Sequence, residues 1–209
     1  MSKLQVLVIH GYVQTASTVF NNTKPLRDAL SDVADLIYAE GPAVEGNERG
    51  SRPWWTLEFI GGGTWKGKET DRWNDTVKWW HDHLSAHSYD GIIGLSQGAS
   101  MTALLLSMIK NPEKIPGFGP IRHQPLRFAI LCSGFISDHP SHFIDLPETL
   151  PTLHTVDHQD GVVNERHTVR LYEKFKRAEL KEHDEGHSIP IRGQWPSQMR
   201  DFIISSTKQ

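Results

Sequence analysis

The stretch Gly91-Ile92-Ile93-Gly94-Leu95-Ser96-Gln97-Gly98-Ala99-Ser100-Met101-Thr102-Ala103-Leu104-Leu105-Leu106 changes character at its serine. Before Ser96 a short apolar run opened by glycine reads as a buried strand. After it, small and apolar residues continue to Ile109, too far for a strand, and predict a buried helix over residues 99–109. Between them Gly94-Leu95-Ser96-Gln97-Gly98 has the G-x-S-x-G spacing of a serine on a sharp strand-to-helix turn. Glycine is needed on both sides, because a β-carbon at either position would crowd the neighbouring strand or helix as the chain reverses.

Outward from this turn, strands and helices alternate. Residues 4–9, Leu-Gln-Val-Leu-Val-Ile, form a run that His10-Gly11 ends, and they predict the first strand. A helix over 26–33 and a strand over 34–40 follow. Residues 41–67 are rich in Gly, Pro and Trp without clear period and predict a long irregular loop. From Asp71 onward Trp73, Val77, Trp80 and Leu84 recur at helical spacing, so their stripe packs a helix onto a sheet. Beyond the serine turn the pattern predicts strands at 127–132, 152–156 and 178–183, a helix within 164–176 and a last helix near 196–205. Such alternation implies one domain over residues 1–209, with a mostly parallel sheet covered by helices on both faces. Ligands of such sheets bind beyond the carboxyl ends of the strands.

Composition narrows the classes of partner. The net charge is −3 over 209 residues, and no dense Lys/Arg run occurs, which argues against nucleic acid or an anionic membrane as main partner. Cys132 is the single cysteine, so no intrachain disulfide can form, and the expected home is a reducing compartment, the cytoplasm and with it the nucleus. The apolar stretch at 4–9 is too short for a signal peptide. No stretch approaches the ~20 apolar residues of a membrane span.

A neutral serine is a poor nucleophile and needs a base, itself oriented by a third group. Past the 152–156 strand lies Asp157-His158-Gln159-Asp160-Gly161-Val162-Val163, which offers a carboxylate at the right end of the sheet. Past the last strand lies Glu185-Gly186-His187-Ser188, which offers an imidazole at the same edge. Among twelve histidines, position selects His187: His83 and His87 lie on the 71-onward helix and His123 in a proline-rich loop. Asp160, a few residues beyond the strand and before Val162-Val163, is favoured as the acid, and Asp157 at the strand's tip is the alternative. Acyl transfer also develops an oxyanion, which two backbone N–H groups usually hold. Gln97, directly after the nucleophile at the positive end of its helix, offers one, and Tyr12 in the loop after the first strand is placed to offer the other.

Three stretches, His10-Gly11-Tyr12-Val13-Gln14, Tyr89-Asp90-Gly91-Ile92-Ile93-Gly94-Leu95-Ser96-Gln97-Gly98-Ala99 and Gly186-His187, together resemble the FSH family of serine hydrolases. That family comprises small α/β-hydrolases related to the ovarian-tumour-suppressor-candidate hydrolase and to fungal esterases and thioesterases. The resemblance covers nearly the whole chain. It implies the α/β-hydrolase fold, a Ser96–Asp160–His187 triad and hydrolysis of carboxyl esters or thioesters. In one respect the chain departs from the family, which usually has glycine where Asp157 follows the acid-bearing strand, and this keeps the acid assignment open. Residues 41–67 match only loosely, so substrate choice does not carry over.

Other signals are weaker. Gly62-Gly63-Thr64-Trp65-Lys66-Gly67-Lys68 begins like a phosphate loop, but Glu69 stands where a magnesium-holding Ser/Thr belongs. His83 and His87 have a zinc-compatible spacing without an evident third ligand. Trp54, Trp55 and Trp65 are candidates for lining an acyl pocket, or equally for plugging the loop onto the core. Cys132 reads as a small buried hydrophobe. The sequence therefore predicts a serine esterase acting on a small-molecule ester through an acyl-Ser96 intermediate, with no cofactor or metal. The competing readings are a thioesterase on acyl carriers, a peptidase, and a non-catalytic binding protein of the same fold.

Overall fold

The structure, a computed structural model, describes residues 2–44, 50–61, 64–67, 72–139, 141–142 and 144–208, with the backbone alone for 58–61 and 64–67. Six strands form one sheet: β1 (Leu4–Ile9), β2 (Ala34–Ala39), β5 (Gly91–Leu95), β6 (Phe128–Cys132), β7 (Thr152–Val156) and β8 (Ala178–Glu182). Their order is β2-β1-β5-β6-β7-β8, and every pairing is parallel. Parallel neighbours need crossovers, and helices lie in each of them except the β6-to-β7 connection, which has none among its described residues, while the last helix follows β8. The helices are α1 (Ala16–Asn22), α2 (Lys24–Leu30), α3 (Trp73–Ala86), α4 (Gln97–Lys110), α5 (Glu165–Tyr172) and α6 (Trp195–Thr207).

Alternation of side chains along each strand builds two cores. Leu7, Ile9, Ile92, Ala129 and Leu131 face α3, α4 and Leu171 of α5. Val6, Val8, Ile93, Ile130 and Leu153 face Val19, Leu26, Leu30, Met199, Phe202 and Ile203 of α1, α2 and α6. β5, β6 and β7 are buried at every position; β5 and β6 accordingly read as apolar runs rather than as alternating patterns, whereas β7 buries Thr152, His154 and Thr155 as well.

The structure departs from the sequence expectations in two places. Residues 41–67 are not wholly irregular: β3 (Leu57–Gly61) and β4 (Thr64–Gly67) form an antiparallel pair with Phe59 opposite Trp65. Glycine punctuation between two short polar-apolar runs was the available hairpin signal. The helix expected over 26–33 ends at Leu30, and α1 precedes it unannounced. Ala-Ser-Thr-Val-Phe-Asn-Asn has weak helix formers and only Val19 buried, so it shows no apolar stripe, and its start is fixed by Thr15 Oγ1 accepting from Thr18 N at 3.2 Å. Gly62, Gly63, Lys68 and Glu69 of the phosphate-loop pattern lie outside the described residues.

Candidate active site

Ser96 takes φ 57° and ψ −121° between β5 and α4. A non-glycine residue in that region is strained and persists only where its surroundings hold it. Two backbone anchors do so: Ser96 N donates to Cys132 O at 2.8 Å, and Ser96 O accepts from Ala99 N at 3.0 Å. The flanking glycines are required by contact. A Cβ on Gly94 would lie 2.4 Å from Gly98 O, and one on Gly98 would lie 2.1 Å from Ile9 O.

Residues 10–14 run against the serine, since a Cβ on Gly11 would stand 3.3 Å from Ser96 Cβ. Gln14 fixes this turn, its Oε1 accepting from Gly11 N at 2.8 Å. His10 Nδ1 donates to Gly11 O at 2.9 Å, and burial holds that ring below the ordinary histidine range. Gln97 is the first residue of α4, where a backbone N–H has no partner within the helix and carries the positive end of its dipole. The sequence did not announce the role of its side chain. Fully buried, it accepts from Trp54 N at 3.0 Å and donates to Trp55 O at 2.7 Å.

At the other end of the sheet edge, His187 Nδ1 lies 2.7 Å from Asp160 Oδ2. A carboxylate only accepts, so Nδ1 carries the hydrogen and a neutral ring keeps its lone pair on Nε2. Burial pushes the Asp160 carboxyl up, but the His187 bond and the N–H groups of Val163 and Val162 outweigh it and hold the group below its usual range. The Asp160 side chain is 1% exposed and that of His187 is 20% exposed, so the acid is sealed and the imidazole reaches solvent. Ser96 and His187 make no direct hydrogen bond among the described contacts. Leu95, Gln14 and His187 nonetheless share the wall of one cavity of about 440 Å³.

Asp157, the alternative acid, is engaged elsewhere: Oδ2 accepts from Gly186 N at 2.6 Å and Oδ1 from Gln159 N at 2.7 Å. Its neighbour His158 bonds Glu165, and Glu182 at 2.9 Å; these carboxylates raise it to about 9, so it is charged at neutral pH.

The tryptophan expectation is corrected in part. Trp54 and Trp55 have no exposed surface, so as they stand neither lines an open pocket. Trp54 is stacked between His10 and Trp80, each 4.9 Å away, and its Nε1 donates to His10 O at 2.9 Å. Trp55 packs edge-on to Trp73, Phe135 and His142. They plug the loop onto the core. Trp65 lies in β4, and its side chain is outside the described residues. Cys132 is fully buried, which pushes its thiol up to about 12 and leaves it unreactive. Among the described residues no group of three or more His, Cys, Asp or Glu could hold a metal ion, and no helix is long and apolar enough to cross a membrane.

The pattern of the family described as "Serine hydrolase (FSH1)" matches residues 1–199. The chain belongs to the FSH1 serine hydrolase family. It is 28% identical over 227 residues to the Schizosaccharomyces pombe protein named dihydrofolate reductase, covering 99% of this chain and 48% of that longer one. The chain thus spans about half the length of that relative. It is 29% identical over 211 residues to the Xenopus tropicalis protein named esterase OVCA2, covering 90% and 86% of the two chains. Arabidopsis thaliana SOBER1 superposes with a TM-score of 0.66 at 17% identity over 99% of this chain and 100% of that one, which is likeness of fold. That fold is the α/β-hydrolase fold.

Proposed function

We propose that this FSH1 serine hydrolase cleaves carboxylic esters through an acyl-Ser96 intermediate, with His187 as base and Asp160 as its orienting acid. The observation that carries the reading is the 2.7 Å Asp160–His187 contact, which leaves Nε2 as the basic nitrogen at the edge of the sheet where strained Ser96 stands. His187 Nε2 takes the Ser96 proton as Oγ attacks the ester carbonyl. The carbonyl oxygen becomes an oxyanion held by the Gln97 and Tyr12 N–H groups. Collapse expels the alcohol, which receives the proton from His187, and water repeats the sequence to release the acid and regenerate Ser96. Relatives named as esterases support the same bond type.

The test is a fluorophosphonate probe together with a panel of p-nitrophenyl esters and acyl thioesters of graded length. Wild type labels at Ser96 and turns over esters. Folded Ser96→Ala loses both, with kcat lower by roughly 10³- to 10⁶-fold. Undiminished turnover in that variant refutes the reading, and faster turnover of thioesters than of matched esters reassigns the substrate.

A further inference from the structure

We propose that Asp157 is a positioning residue for His187, holding the base loop against the acid loop by its two carboxylate oxygens. The inference rests on the Ser96–His187–Asp160 reading above. Asp160 and His187 stand on loops that leave different strands, β7 and β8, and their 2.7 Å contact demands that these loops keep a fixed register. Asp157 sits at the junction. One oxygen accepts from Gln159 N in the acid loop at 2.7 Å, and the other accepts at 2.6 Å from Gly186 N, the residue directly before His187.

The base loop behaves as a unit under this grip. Glu185 closes it internally, accepting from Ile191 N at 3.0 Å and Arg192 N at 2.8 Å. Gly186 takes φ +66°, a conformation that side chains rarely adopt, so the chain turns sharply at the point that Asp157 holds. Fixing the Gly186 amide therefore fixes where the His187 ring begins. His158 also ties the acid loop to Glu182, but that pair is exposed and reaches the end of β8 rather than the base loop. Asp157 itself is 4% exposed, so water does not readily replace its bonds.

The two carboxylates thus make different demands. Asp160 must answer the charge that develops on the imidazole, whereas Asp157 has only to accept from backbone N–H groups. An amide can do part of the second task and little of the first. This contrast separates positioning from catalysis and from mere stability.

The experiment measures kcat and KM for a p-nitrophenyl ester per active site titrated with fluorophosphonate, alongside thermal unfolding, in Asp157→Ala, Asp157→Gly and Asp157→Asn. Ala and Gly remove the same oxygens, so one serves if the other fails to fold, and Asn serves alone if neither does. Expected is a fall in kcat of about 10- to 100-fold for Ala or Gly with KM within about twofold of wild type, the size of effect that a small misplacement of a reacting group produces. Asn, which keeps one of the two accepting oxygens, should recover part of that loss and lie between the Ala or Gly variant and wild type. Unchanged kcat per titrated site in Ala or Gly, whatever their unfolding temperature, overturns the proposal. So does an Asn variant as slow as Ala, or slowed by about 10⁴-fold, which would make Asp157 the acid. Failure of the underlying triad shows up separately, as turnover surviving in Ser96→Ala.

Discussion

Replacing His154 by leucine should flatten the acid side of the stability curve. His154 lies in the middle of β7, has no exposed surface, and is packed against Tyr172 and Phe175 at ring distances of 5.6 and 4.9 Å. Neither ring nitrogen has a hydrogen-bond partner among the described residues. Burial pushes its pKa from 6.5 down to about 3. The folded state therefore binds fewer protons than the unfolded chain over that interval. Its stability contribution is whole above 6.5 and lost as pH falls toward 3. Between pH 7.5 and pH 5 that one group costs about 2 kcal/mol of unfolding free energy. His142, which burial against Trp55 and Trp73 also pushes down to about 3, acts in the same direction. Urea unfolding followed by tryptophan fluorescence at pH 7.5, 6.5, 5.5 and 5.0 measures the effect. His154→Leu should lose about 2 kcal/mol less than wild type across that range and be no less stable at pH 7.5, because leucine leaves no buried nitrogen unpaired. Parallel curves for the two proteins would falsify the assignment. The consequence reaches catalysis, because a decline of activity in acid has to be divided by the folded fraction before any of it is ascribed to His187.

Asp160→Asn should lower kcat by the order of 10⁴-fold while fluorescence and unfolding temperature stay near wild type, since the amide cannot answer the charge on the imidazole; retention of more than a tenth of wild-type kcat would remove Asp160 as the acid. Gln97→Leu should cost about 2–6 kcal/mol of stability by denaturant titration, because it leaves Trp54 N–H and Trp55 C=O unpaired in a buried position at about 1–3 kcal/mol each. A loss under about 1 kcal/mol would show that the loop repairs those bonds itself.

What could be read in the sequence was what steric contact dictates locally. Gly94 and Gly98 are each forced by a backbone atom within 2.4 Å of the Cβ that they lack, so the serine turn is written in two residues four apart in the chain. Candidates for acid and base were legible too, because a carboxylate and an imidazole each follow a strand end. Position favoured Asp160 over Asp157 as the carboxylate that meets His187 without fixing the choice, for the contact depends on a turn, Asp160 N to Asp157 O at 3.1 Å, and on the N–H groups of Val162 and Val163 that orient the Asp160 side chain. Trp54 and Trp55 were ambiguous for a similar reason. An irregular loop has no period from which to infer a buried face, and the partners that bury these rings are distant in the chain: His10, Trp80 and Gln97 lie 44, 26 and 43 residues from Trp54, and Phe135 lies 80 from Trp55.

The ties between loops at the sheet edge follow one rule. Past the last paired residues, the parallel ladder continues by single backbone bonds: Ser96 N to Cys132 O at 2.8 Å, Ser133 N to Thr155 O at 3.0 Å and His183 N to Val156 O at 2.9 Å. Beyond these, side chains take over the same task, with Gln97 gripping the 54–55 loop, Trp54 Nε1 reaching His10 O, and Asp157 gripping Gly186. Loops that leave a sheet are ordinarily its mobile parts, yet the proposed chemistry needs groups from several of them held to within a fraction of an ångström. Extending the hydrogen bonding of the sheet into those loops, first by backbone and then by buried side chains, gives each reacting group the rigidity of the strand it follows. The strain at Ser96 is then borne by the sheet itself, since two of its neighbours, β1 and β6, close on the turn through Gly98 and Cys132.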